Sequence, residues 1–245
     1  WFGRSTESVE ENVATGTFNL GRNNVDFGSR GEDIDRDTYR IVLGIDGKFN
    51  DDWRYEVAFN YGHMEVDQVS TNNLLLFDVN GNPDGFNLAV DAVRNAAGQI
   101  VCRVNADADP TNDRPDCAPI NLFGYGAPSR EALDFVNTEA KYTEKAEQLV
   151  ASAYMAGDSS QLFELPGGPA AFAIGAEYRV EKAESEWDEL TASGGTFLNA
   201  LAPFNPPDLK VAEYFGELRL PILGGLPFVE ELSAEAAYRF SDYNT

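Results

Sequence analysis

Hydrophobic and polar residues alternate along much of this chain. From Thr38 to Phe49 the odd positions carry Tyr39, Ile41, Leu43, Ile45 and Phe49, with Gly47 the exception. The even positions carry Thr38, Arg40, Val42, Gly44, Asp46 and Lys48. Side chains two apart share a face only in an extended strand, so the spacing predicts a β-strand with one apolar and one polar side. Asn50-Asp51-Asp52 supplies a short turn, after which Trp53, Tyr55, Val57, Phe59 and Tyr61 alternate with Arg54, Glu56, Ala58, Asn60 and Gly62. The two runs predict a hairpin.

Lys145 to Met155 alternates weakly, and Leu165-Pro166-Gly167-Gly168-Pro169 is turn chemistry. Beyond it Ala170, Phe172, Ile174, Ala176, Tyr178 and Val180 oppose Ala171, Ala173, Gly175, Glu177, Arg179 and Glu181. A third hairpin sets Ala212, Tyr214, Gly216, Leu218 and Leu220 against Val211, Glu213, Phe215, Glu217 and Arg219. It turns through 221–230 and returns with Leu232, Ala234, Ala236, Tyr238 and Phe240 against Ser233, Glu235, Ala237, Arg239 and Ser241. With a fainter strand at Ala14–Gly21, six or seven strands are expected.

The connections alternate as well. Short turns (50–52, 158–168, 221–230) take turns with long polar segments (22–37, 66–142, 183–208). Long loops on one side and short turns on the other mark an outer-membrane barrel. The expected fold is therefore all-β, part of a transmembrane antiparallel up-and-down barrel, with 66–142 a long extracellular loop. The apolar face, ending in Tyr39, Phe49, Trp53, Tyr61, Tyr178 and Tyr238, would meet outer-membrane lipid and lipopolysaccharide. The opposite face, with Arg40, Arg54, Glu56, Glu177, Arg179, Glu213, Glu217, Arg219, Glu235 and Arg239, would line the lumen. Alternation alone fits a soluble core equally. Runs of about a dozen residues favour the membrane, where tilted strands need roughly 9–11, against roughly 5–6 in soluble sheets.

Composition narrows the function. The net charge is −23, from 18 basic and 41 acidic residues, which argues against nucleic acid as a partner. Hydrophobic content of 43% is that of a folded chain. No apolar run approaches the roughly 18 residues of a membrane-crossing helix. Trp1-Phe2-Gly3-Arg4-Ser5 is not a signal peptide, and without an initiator methionine the chain reads as an internal piece. Cys102 and Cys117 flank a segment rich in Asp, Asn and Pro. Two cysteines closing one loop predict a disulfide in an oxidising compartment, constraining the unfolded chain by roughly 3 kcal/mol.

Several segments are similar to TonB-dependent receptors of proteobacteria. They are Cys117-Ala118-Pro119-Ile120-Asn121-Leu122-Phe123-Gly124, and Leu165-Pro166-Gly167-Gly168-Pro169 leading into Gly175-Ala176-Glu177-Tyr178-Arg179. Glu213-Tyr214 through Glu217-Leu218-Arg219-Leu220-Pro221 and Ala237-Tyr238-Arg239-Phe240-Ser241-Asp242-Tyr243 complete the set, in order, from about Thr38 onward. The resemblance implies a barrel of about 22 strands filled by an N-terminal plug domain. It also implies TonB as the energy-coupling partner, and uptake of a scarce small molecule such as a siderophore, cobalamin or carbohydrate. The chain departs from the family pattern: it holds no TonB box, no plug and no terminal aromatic strand.

Other chemistry is thin. His63 is the only histidine, at a strand end, which argues against a Ser/His/Asp triad or a His-rich metal site. Carboxylates interleaved with arginine predict an ion-pair ladder rather than catalysis, so no enzyme and no cofactor is expected. Asn105, Asp107, Asp109 and Asp116 imitate the oxygen spacing of a calcium loop, but Pro110 stands where the sharp turn wants glycine. The alternatives are a barrel for adhesion or secretion, or a soluble all-β carbohydrate-binding module.

Overall fold

The computed structural model describes residues 20–198 and 200–244, and the expected strand at Ala14–Gly21 falls almost wholly outside them. Six long strands form one open sheet: β1 (Gly31–Phe49), β2 (Trp53–Leu74), β5 (Asn137–Asp158), β6 (Ala171–Trp187), β7 (Leu209–Leu226) and β8 (Val229–Tyr243). Their order is β1-β2-β5-β6-β7-β8, so each pairs with its neighbours in sequence. A separate two-stranded sheet joins β3 (Ala92–Arg94) to β4 (Ile100–Cys102). Short helices α1 (Phe86–Val90), α2 (Arg130–Val136) and α3 (Glu189–Ala192) lie in the connections. The protein is all-β, and antiparallel where its register is defined.

The strands are longer than the alternation suggested. β1 starts at Gly31 rather than Thr38, and β2 continues to Leu74 rather than stopping near Gly62. The polar segments 22–37, 66–142 and 183–208 therefore each surrender residues to strands. Acidic and Asn-rich stretches such as Gly31-Glu32-Asp33-Ile34-Asp35 hide this, because extended backbone paired on a neighbour needs no apolar side chain. The turn expected at 221–230 shrinks to Pro227 and Phe228. Pro221, which read as a breaker, lies within β7, where the register with β8 shifts between Pro221 and Leu223. Proline lacks a ladder donor and is tolerated at such a bulge.

Register fixes the faces. Ala171–Glu181 of β6 pairs with Arg219–Leu209 of β7, and Val211–Pro221 of β7 with Tyr243–Ser233 of β8. Phe172, Ile174, Ala176 and Tyr178 thus share one side with Leu218, Gly216, Tyr214, Tyr238 and Phe240. The strand ends are staggered. β6 continues beyond Glu181, the last residue in register with β7, to Trp187, whereas β7 continues beyond Arg219 in the opposite sense to Leu226.

Contacts divide the chain into two units. Among the described residues, one comprises those up to Ile34 together with Asp67–Tyr142 and Glu186–Pro203. It has a core of Phe27, Ala89, Ile120, Ala132 and Val136, flanked by Leu74, Phe86, Leu122 and Phe135. Ser129 caps α2 by accepting the Ala132 amide at 3.2 Å, which turns Ala132 and Val136 inward. Cys102 and Cys117 are joined as expected, with Cα atoms 6.3 Å apart. The other unit comprises Asp35–Val66, Thr143–Ser185 and Phe204 onward. It buries almost nothing: among the described residues Val66, Ala170 and Val211 are its only buried hydrophobics. Leu43 is 64% exposed and Tyr238 72%, with Ile41, Ile45, Val57, Ile174 and Phe240 also exposed.

Candidate functional site

The chemistry of the second unit lies on two surfaces. On the charged face Arg40 donates to Asn60 Oδ1 at 2.5 Å, and Gln148 to Glu181 Oε1 at 3.1 Å. Arg179 pairs with Glu181 at 3.3 Å. Arg219 reaches Glu231 at 2.5 Å and Glu235 at 3.3 Å, joining β7 to β8. Glu213 accepts the Ser241 hydroxyl at 2.7 Å and stands opposite Glu177 in register. Phe215 lies across Gly175, where any Cβ would strike its ring, and Arg239 sits 5.6 Å from that ring. Toward the short turns this face opens into a recess of about 820 Å³ lined by Lys48, Arg54, Glu217, Arg219 and Glu235. Of the residues expected to share this face, Glu177, Arg179, Glu213, Glu217, Arg219, Glu235 and Arg239 are placed together by the β6–β8 register. Arg40 joins Asn60, and Arg54 and Glu56 share the parity of Asn60 on β2.

The apolar face ends in a polar cluster that the sequence reading did not foresee. Tyr39 stacks on His63 at 5.0 Å and lies 6.0 Å from Tyr61. Tyr61 donates to Glu147 at 3.0 Å, Lys182 pairs with Glu147 at 3.4 Å, and Lys145 with Glu65 at 3.1 Å. His63 Nδ1 is 3.5 Å from Glu147. Glu65, Lys145, Glu147 and Lys182 fall on apolar parity, which makes the signal visible afterwards: within each of these strands charge enters the apolar register where the apolar run stops, although the strand itself continues. Weak alternation in β5, where Leu149, Ala151, Ala153 and Met155 face Gln148, Val150, Ser152 and Tyr154, concealed that parity. At the other end Trp53 packs edge-on against Phe172 at 5.0 Å and 6.3 Å from Phe49. Its indole donates to the Asp158 carbonyl at 2.8 Å.

The calcium-like oxygens are engaged within their own loop. Asn105 and Arg114 exchange two hydrogen bonds of 2.7 Å, and Asp107 accepts the Asp109 amide at 2.9 Å. Asp109 accepts the Thr111 hydroxyl at 2.6 Å, and Arg114 holds Asp116 at 3.2 Å. Those hydrogen bonds, Thr111 at Asp109 and Arg114 at Asp116, hold both carboxyls below the usual range. Among the described residues no three His, Cys, Asp or Glu side chains gather to hold a metal, Asp107, Asp109 and Asp116 included. No helix among them is long and apolar enough to cross a membrane, which leaves strands untouched by the statement.

Comparison with protein-family models, curated proteins and solved structures returned no match.

Proposed function

We propose that this chain is a section of the wall of an outer-membrane β-barrel. Within that class we propose a TonB-dependent receptor, in which the strands enclose a plug and the long connection 75–136 faces the external medium. One observation carries the membrane reading. An apolar sheet face, uncovered by the rest of the unit, is bounded at one end by the Tyr39–Tyr61–His63 cluster and at the other by Phe49, Trp53 and Phe172. From Tyr39 to Phe49 is ten residues. At about 3.4 Å each and a tilt of about 40° this is about 26 Å, against an apolar band of about 25 Å in such barrels. Soluble monomers rarely expose apolar patches beyond a few hundred Å².

The receptor reading rests on the ordered motifs quoted above, and the charged face supports it as a lumen surface. Arg219, Glu231 and Glu235 are tied to one another, and the recess beside them offers charge and shape to a filling domain or a passing solute. A depth profile tests the membrane reading. Leu43→Arg or Val57→Arg, near mid-strand, should destabilise the full-length protein in vesicles by roughly 2–4 kcal/mol, and Tyr39→Arg or Tyr61→Arg by roughly 0–1. A penalty equal at both depths would return the chain to the soluble all-β alternative.

A further inference from the structure

The ladder between β6 and β7 is interrupted where β7 begins. Leu209 pairs with Glu181, and the next contact is an isolated bridge between Phe204 and Ser185, whose amides donate to each other's carbonyls at 2.8 Å. Between these contacts Lys182-Ala183-Glu184 faces Asn205-Pro206-Pro207-Asp208. Two consecutive prolines carry no N–H, so this stretch cannot zip onto β6. Asn244, just past β8, pins it from the other side by donating to the Asp208 carbonyl at 2.8 Å. The opening is built into the chain.

At the gap lies a cavity of about 210 Å³, lined by His63, Lys145, Glu147 and Lys182 and, beside them, by Glu184 and Asp208. Its charges are unevenly engaged. Glu147 accepts from Tyr61 at 3.0 Å and pairs with Lys182 at 3.4 Å, and Lys145 pairs with Glu65 at 3.1 Å. Each lysine has three N–H donors and one such partner, so donors remain on that wall. Among the described residues no ion pair reaches Glu184 or Asp208. A lone anion would meet three carboxylates against two ammoniums, and no three ligand side chains gather here for a lone metal ion. A group that carries both signs satisfies both walls.

We propose that this gap holds the headgroup of a phosphoethanolamine lipid, with its phosphate against Lys145 and Lys182 and its ammonium between Glu184 and Asp208. The proposal rests on the membrane reading above and deepens it. That reading sets the height. Tyr39, Tyr61 and His63 close the apolar face, and Glu147, Lys145 and Lys182 follow in the same register, where acyl chains give way to headgroups. Ile174 and Tyr178 of β6, exposed on the same face, lie along the path of the acyl chains. A quaternary ammonium headgroup lacks the N–H donors that two carboxylates accept, and an anionic headgroup lacks the cation altogether.

Native mass spectrometry of the full-length protein, purified in detergent and stripped of lipid, tests this with short-chain phosphatidylethanolamine, phosphatidylcholine and phosphatidylglycerol. The ethanolamine lipid should be retained several-fold more than either of the others. Glu184→Gln together with Asp208→Asn keeps the shape and removes the charge, and should reduce that preference several-fold. Lys182→Met should weaken retention of the ethanolamine lipid as well. Equal retention of the three lipids, or a preference unchanged in the Glu184→Gln, Asp208→Asn variant, overturns the site. Glycerophosphoethanolamine competing as well as the lipid itself would assign a soluble zwitterion and overturn the lipid headgroup. Vesicles of the same three lipids separate this site from the reading beneath it. Insertion without headgroup preference removes the site and keeps the barrel, whereas failure to insert into any of them removes the barrel.

Discussion

Asp188 shows how much one carboxylate can organise. It follows β6 directly and caps α3, accepting the Thr191 amide at 3.0 Å and the Thr191 hydroxyl at 2.8 Å. The same side chain accepts the Lys141 amide at 2.7 Å, while its own amide donates to the Lys141 carbonyl at 2.8 Å. Burial opposes the charge, yet these hydrogen bonds outweigh it and hold the carboxyl below its ordinary range. Because the folded value lies below the unfolded one, the stabilisation is complete above the usual carboxylate range. It fades as pH falls from there through the lowered value. Asp188→Ala should cost about 0.5–2 kcal/mol at neutral pH through the lost cap. In urea unfolding the gap between variant and parent should narrow as pH falls below the usual carboxylate range, and a gap that stayed constant would assign the effect to packing rather than charge.

At the scale of elements, the hairpins were legible wherever side chains alternated between large apolar and charged residues, as in β1, β2, β6, β7 and β8. Their ends were less so. Pairing carries the ladder through polar residues such as Asp67-Gln68-Val69-Ser70-Thr71, which read as loop. Pro221 misled because a bulge absorbs it. The shared face of the charged series was legible, since parity alone orders it, but the Glu147–Lys182 pair depends on β5 and β6 being neighbours, which no local pattern states. The disulfide was legible from its loop. Its effect should stay local: Cys102→Ser with Cys117→Ser should weaken the first unit by roughly 3 kcal/mol in the chain-entropy estimate. The reciprocal Asn105–Arg114 bonds and the 2.6 Å Arg114–Asp84 ion pair remain to hold part of the loop. Hydrogen exchange should rise in β3, β4 and residues 103–116 while the β6–β8 pairing stays protected; faster exchange across β6–β8 would show that the disulfide supports more than its loop.

At the scale of the whole molecule the two units solve opposite problems with one composition. The first buries Phe27, Ala89, Ile120, Ala132 and Val136 in a core of its own. The second turns its apolar residues outward and pairs its charges on the other face. On the proposed membrane reading that face meets lipid, whereas in water exposed apolar area would oppose folding at roughly 25 cal/mol per Å². On the proposed reading the wall has two sides, and the connections differ in length: 75–136 separates β2 from β5, while three residues separate β1 from β2. Long external loops and short periplasmic turns are the ordinary distribution. A protease added to intact cells carrying the full-length protein should therefore cut within residues 103–116, the acidic loop closed by Cys102 and Cys117, and leave both fragments linked until reduction. The Asn50-Asp51-Asp52 turn should be spared until the outer membrane is opened. Cleavage at that turn from outside, with residues 103–116 intact, would invert the orientation while leaving the barrel reading in place.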